Sequence, residues 1–192
     1  NIMNKKICAI TGSTPNEYSF GYDEENMNCA LEKRLIVQAI FALVSLGVTG
    51  FLSTMNEGAE LWGAEAVAHI ITTFNRDITL GCVPTSEEQA SRWHPDTRDK
   101  YFDLLENYLE TDAIPKRHDP DGDQFGADRE LFGEDIYAYD ADKYIADTAD
   151  MLLVCGDKPG EHAEILMREF EGRGKKIMRM SAGKTTGTAD AR

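Results

Sequence analysis

The stretch "FLSTMNEGAELWGAEAV", Phe51 to Val67, decides how the chain is read. An apolar run ends at Leu52, Ser53 to Glu57 are small or polar, and a long amphipathic segment opens with Gly58 and Gly63 close behind one another. A strand, a turn and a helix explain that order, but the turn carries more punctuation than a connection needs. Gly58 admits a close backbone approach, to a ligand or to the helix start. Gly63 lets the helix lie tight on a sheet, since a Cβ would hold either apart.

Working outward, "KKICAITG" reads as a buried first strand ending at Gly12, and a polar loop runs to about Glu25. Leu31, Leu35, Ala39 and Leu43 recur at i, i+4 with Ile36, Ile40 and Val44 beside them. This predicts a helix over Asn26–Leu46, stopped by Gly47. "VTGFLS" is the second strand. In the second helix, "GAELWGAEAVAHIITTF", Leu61, Ala64, Ala68 and Ile71 form the buried stripe, and "ITLGCVP" is the third strand. Helices near Asp96–Glu110 and Tyr137–Ala149, the strand "MLLVC", the helix "GEHAEILMREFEGRG" and the strand "KKIMRM" complete the pattern. Alternating strands and helices predict an α/β fold: a Rossmann-like, doubly wound, mostly parallel sheet with helices on both faces. Residues 1–180 are expected to form one domain, with 111–134 a polar insertion or flap and 181–192 a loose tail.

Twenty Lys plus Arg against 34 Asp plus Glu leave a net charge of −14, a field that repels phosphate backbones and anionic lipid. Nonspecific nucleic-acid binding and membrane association are therefore disfavoured, and a homo-oligomer is left open. Cys8, Cys29, Cys82 and Cys155 have no CxxC spacing and read as buried thiols. The N-terminus lacks the apolar length of a signal peptide, and no run reaches the ~18 apolar residues of a membrane span, which predicts a soluble cytoplasmic protein.

Three loops follow strands here: "TGSTP", "STMNEG" and "CGDKPGE". At the carboxyl edge of a parallel sheet such loops converge, and helix N-termini there offer unpaired N–H groups to a ligand. Other motifs carry less. "GKTT" from Gly183 lacks the first P-loop glycine, whose place is taken by Met178. Asp119, Asp121, Asp123 and Glu130 match EF-hand ligand positions, but Gln124 stands where the glycine is required, which leaves a solvated acidic loop. His69, His94, His118 and His162 show no metal-ligand spacing. Only His162 adjoins the expected pocket, and an exposed first-turn position is its leading reading. Trp62 flanks the apolar stripe and reads as core packing rather than a stacking platform.

"ITGSTP", "FGYDEEN", "STMNEGAELWGAE", the segment from Trp93 to Asp112 and "DKYIADTADMLLV" together resemble the YpsA-like family of the SLOG superfamily, in order over most of Lys6 to Ile177. That family is Rossmann-like and related to the LOG phosphoribohydrolases and the DprA proteins. The resemblance implies a nucleotide or ADP-ribose-like ligand, with Gly12, Ser13 and Thr14 as one wall, and Thr54 and Asn56 to Gly58, including Glu57, as the floor. Gly156, Asp157, Gly160 and Glu161 would take the phosphate or ribose side, while Glu60 and Glu65 orient loops or ribose hydroxyls. It also implies an enzymatic alternative, a nucleoside 5′-monophosphate N-glycosidase. Gly160 and Glu164 keep the spacing of the LOG glutamate, so Glu164 would protonate or stabilise and Glu161 would assist. A third reading is a regulatory or structural protein with a decayed pocket. Ser13-Thr14 stand where the family has His-Arg, Ala141-Asp142 where it has Arg-Asn, and Pro159-Gly160-Glu161 where it has Gly-Gly-Thr. Loss of two arginines removes a phosphate clamp.

Overall fold

The computed structural model describes residues 5–74, 77–86, 88–113 and 140–180. In chain order these give β1 (Ile7–Gly12), a 3-10 turn (Pro15–Glu17), α1 (Met27–Ser45), β2 (Gly50–Ser53), α2 (Ala59–Phe74), β3 (Thr79–Cys82) and α3 (Pro95–Tyr108). A second 3-10 turn (Thr111–Ala113), α4 (Ala141–Thr148), β4 (Met151–Cys155), α5 (Glu161–Gly172) and β5 (Lys176–Met180) follow. The strands form one parallel sheet in the order β3-β2-β1-β4-β5. The expected EF-hand-like loop, the GKTT tail, His118 and all but Thr111–Ala113 of the expected insertion lie outside the described residues.

The two faces are set by the strand period of two. Cys8 and Ile10 of β1 pack with Met151, Leu153 and Cys155 of β4 under α1, α2 and α3. Ala9, Leu152 and Val154 point the other way, onto Ile145 of α4 and Leu166 and Phe170 of α5. Helices on both faces of a parallel sheet make this a Rossmann-like α/β arrangement. Because β1 is buried on both faces, its sequence is a continuous apolar run rather than an alternation.

Local chemistry sets the helix ends. Asn26 caps α1 by accepting from the Asn28 N–H at 2.9 Å. Gly47, at φ 88°, stops it, and the Val48 N–H reaches back to the Leu43 carbonyl at 3.0 Å. Gly63 serves close packing, since a Cβ there would stand 2.7 Å from Ile10 Cγ2. Trp62 is buried, as the flank of the stripe predicts. The stripe of α1 needs correction: its buried positions are Cys29, Glu32, Ile36, Ile40 and Leu43, and Leu31 is 46% exposed. The inward face is therefore offset by about one position from the i, i+4 row of leucines, and it buries a glutamate.

All four cysteines are free and buried. Burial pushes the Cys8 and Cys82 thiols up to about 12 and raises those of Cys29 and Cys155. Among the described residues no helix is long and apolar enough to cross a membrane.

Candidate functional site

The carboxyl edge of the sheet holds two polar clusters. The first is a knot around Glu60, which sits in the first turn of α2 and is 3% exposed. Its Oε1 accepts from Thr11 Oγ1 at 2.7 Å, and its Oε2 from Thr54 Oγ1 at 2.5 Å and the Asn56 N–H at 3.0 Å. His162 Nδ1 stands 2.9 Å from Oε1, while His162 Nε2 stands 2.7 Å from Asp142 Oδ1. One carboxylate thus joins the end of β1, the loop after β2, the start of α2 and the start of α5, and through His162 the start of α4. Gln89 closes the outer side by donating to the Thr54 carbonyl at 2.7 Å and to Asn56 Oδ1 at 2.9 Å.

A carboxylate stands against each ring nitrogen, with Asn56 Nδ2 also 3.0 Å from Nδ1, and the two carboxylates favour the imidazolium form of His162. Burial opposes charge on both groups, but the ion pair and the hydrogen bonds overcome it. Glu60 is held down at about 2 by His162, Thr54 and Thr11, and His162 is held up at about 10 by Glu60 and Asp142. Near neutral pH, two carboxylates and one imidazolium leave the knot one net negative charge.

The glycines of these loops are explained by the loops themselves. Gly58, at φ 92°, would place a Cβ 2.6 Å from the Ser13 carbonyl, whose oxygen accepts the Ala59 N–H at 3.0 Å. Gly156, at φ 91°, would place one 2.2 Å from Ser13 Oγ and 2.9 Å from the Tyr18 hydroxyl. Ser13 Oγ itself donates to the Lys158 carbonyl at 2.5 Å. The three strand-end loops are thereby knitted at backbone distance.

The second cluster surrounds a cavity of about 390 Å³. Tyr18 and Phe20 of the loop after β1 form one wall, Leu31 and Glu32 of α1 another, and Asp157 and Lys158 of the loop after β4 a third. The aromatic rings stack with centroids 4.8 Å apart, and Tyr18 leans on Trp62 at 5.5 Å. Glu17, also on the cavity, is occupied by Thr14, whose N–H and hydroxyl both donate to its Oε2. Burial, with the Glu32 carboxyl beside it, pushes the Tyr18 phenol well above its ordinary value, so its hydroxyl keeps its proton and donates to Glu32 Oε1 at 3.3 Å.

The residues expected from sequence separate accordingly. Thr54, Asn56 and Glu60 meet in the knot, and Gly12, Ser13, Gly58, Gly156 and Gly160 are buried in the loop contacts. Thr14 caps the turn after β1 with Glu17, while Asp157 reaches the cavity. Glu57 is half-buried, and burial raises its carboxyl pKa. Glu65, 3.8 Å from Lys100, is raised in the same way. Glu161 and Glu164 are exposed on α5, and neither lines the cavity. His162 is not the exposed first-turn residue the sequence suggests: its side chain is 22% exposed and clamped between two carboxylates. Thr11, Gln89, Tyr18, Glu32 and Lys158 carry no local signal, and Asp142 stands out in the sequence only as a departure from the family's Arg-Asn. Two of the partners of Glu60, Thr11 and His162, lie 49 and 102 residues away, and only the fold brings them in.

The comparisons agree with this architecture. The sequence model of the YpsA family, described as the YspA SLOG family, matches residues 8–135. A UPF0398 protein of Halalkalibacterium halodurans is 33% identical over 112 residues, which is 58% of each chain and so less than two thirds of that relative's length. A UPF0398 protein of Bacillus cereus (strain G9842) is 29% identical over 154 residues, 75% of this chain and 82% of the relative. Another from Bacillus thuringiensis (strain Al Hakam) is 29% identical over 143 residues, 72% and 76% of the two chains. A family match across most of the described sheet, on a chain whose strand-end loops converge at its carboxyl edge, places this protein in the YpsA family of SLOG proteins.

Proposed function

We propose that the protein binds a nucleotide or an ADP-ribose-like ligand in the cavity between the loops after β1 and β4. The observation that carries this reading is position. β1 is central, with β2 on one side and β4 on the other, so the chain leaves β1 and β4 toward opposite faces and a crevice opens between their loops. Open α/β sheets bind ligands at that switch point. The cavity lies there, and its volume falls within the ~300 to 1,000 Å³ of small-molecule sites.

The lining suits the parts of such a ligand. Tyr18 and Phe20 offer an aromatic wall for a base. The carboxylates of Glu32 and Asp157 accept from hydroxyl or amino groups, and Lys158 supplies a cation for a phosphate. Three carboxyl side chains, Glu17, Glu32 and Asp157, against one ammonium favour a ligand rich in hydroxyls and bearing few phosphates.

A thermal-shift series with AMP, ADP-ribose, adenosine and ATP tests the reading, because a ligand that binds only the folded state raises the melting temperature by mass action. AMP or ADP-ribose should raise it more than ATP does, and Tyr18→Ala should reduce the response. No shift with any of the four at millimolar concentration would reject the proposal.

A further inference from the structure

Glu32 is a buried carboxyl whose surroundings do not account for it. It lies in the second turn of α1, 6% exposed, on the inward face otherwise made of Cys29, Ile36, Ile40 and Leu43. Among the described residues its one hydrogen bond is the 3.3 Å contact from Tyr18, and no cation lies within ion-pair distance. The other acidic residues of the cavity differ: Glu17 accepts two bonds from Thr14 at its Oε2, and Asp157 is exposed to water. Burial, with Asp157 as a lesser contributor, outweighs the Tyr18 bond and raises the Glu32 carboxyl above its ordinary value. A carboxylate largely withdrawn from water with one long hydrogen bond costs stability, and its second oxygen, Oε2, keeps contact with solvent. A leucine or methionine at this position would pack the same face without that cost.

We infer that Glu32 is a specificity-determining residue of the cavity: its carboxylate accepts a hydrogen bond from an O–H or N–H of the ligand, so that the nucleoside part enters and the phosphate stays at the Lys158 rim. The inference rests on the ligand reading above and deepens it. A carboxylate acts only as an acceptor, so it rewards hydroxyl and amino groups and repels phosphate oxygens. Tyr18 orients it, since the phenol keeps its proton and holds Oε1. Two groups of a nucleotide carry the required chemistry, a ribose hydroxyl and an exocyclic amine, and both remain candidates for the same oxygen.

The test is calorimetry of wild type and Glu32→Gln with AMP, 2′-deoxy-AMP, 3′-deoxy-AMP and inosine monophosphate. The amide keeps the size of the side chain and an acceptor oxygen but loses the charge, so AMP affinity should fall about tenfold. The analogue missing the recognised donor should bind wild type about tenfold more weakly than AMP, and Glu32→Gln should lose most of that preference. If the sensitive analogue is a deoxynucleotide, the donor is ribose; if it is inosine monophosphate, the donor is the amine. Wild type that binds AMP together with a Glu32→Gln variant of unchanged affinity overturns the role of Glu32 and leaves the cavity as the site. A uniform loss for all four nucleotides, as a displaced α1 would give, overturns it too. Wild type that binds none of them removes the ligand reading and this inference together.

Discussion

Glu60 and Glu32 stand at the same edge of the sheet, each on the second helical turn or earlier, and are 3% and 6% exposed. Their environments are opposite. Glu60 has three hydrogen-bond donors from the backbone and threonines plus an imidazolium, and its carboxyl is held at about 2. Glu32 has one long bond, and its carboxyl is raised. A buried charge that is fully paired holds the structure together; one that is not keeps a valence open. By that criterion the knot is the scaffold, and the cavity beside it is where a ligand would be sought.

The contrast breaks most directly at Glu60. Glu60→Ala leaves Thr11, Thr54, the Asn56 N–H and the His162 imidazolium without their common acceptor, and breaking a buried pair costs about 3 to 5 kcal/mol. Urea unfolding should show that loss; a change below about 1 kcal/mol would mean the knot does not hold the loops. His162→Gln should cost less, because Glu60 keeps its hydroxyl and amide donors. This variant also separates the pH dependence. The His162 contribution, with the pKa raised from 6.5 to about 10, is complete below 6.5 and lost as pH rises through 10. The Glu60 contribution, with the pKa lowered from 4.5 to about 2, is complete above 4.5 and lost as pH falls through 2. The wild-type advantage over His162→Gln should therefore be greatest between pH 4.5 and 6.5 and shrink both toward pH 10 and toward pH 2. A pH-independent difference would contradict the ion pair.

Gly156 lies between Ser13 of the loop after β1 and Tyr18 of the cavity wall. Gly156→Ala forces a Cβ against Ser13 Oγ and toward the Tyr18 hydroxyl at a φ that alanine resists. A loss of about 1 to 3 kcal/mol is expected, together with weakened AMP binding as Tyr18 shifts. Stability lost without any change in affinity would show that the loop packing at Ser13 is independent of the cavity. The smallest effect belongs to Glu32→Gln, which should move unfolding free energy by less than about 1 kcal/mol, since the side chain it replaces has little to lose. A loss approaching that of Glu60→Ala would place Glu32 in the scaffold and erase the distinction.

The sheet was legible because its strands are short apolar runs closed by glycine, proline or polar residues, and Gly47 and Gly63 do what their positions suggested. The row of leucines in α1 misled because Leu31 looks onto the cavity, while Glu32, polar by type, takes a place on the inward face. At Gly58 the sequence points to a close approach to a ligand or to the helix start, and the atoms a Cβ there would meet belong to Ser13, Thr14 and Pro15 of the loop after β1. No spacing rule connects Glu60 to His162 or His162 to Asp142. Those contacts follow from which loops a parallel sheet brings to one edge, and that is a property of the strand order.

The four buried thiols give this chain a built-in clock. With their pKa values raised and their sulfurs out of water, Cys8, Cys29, Cys82 and Cys155 react with an alkylating reagent only when the structure around them opens. They are well distributed for the purpose: the central strand β1 and its neighbour β4, the edge strand β3, and the first turn of α1. Residue-resolved labelling under native conditions would therefore time local opening at each place. Cys29, one helical turn before Glu32, would register whether a bound nucleotide quiets the wall of the cavity.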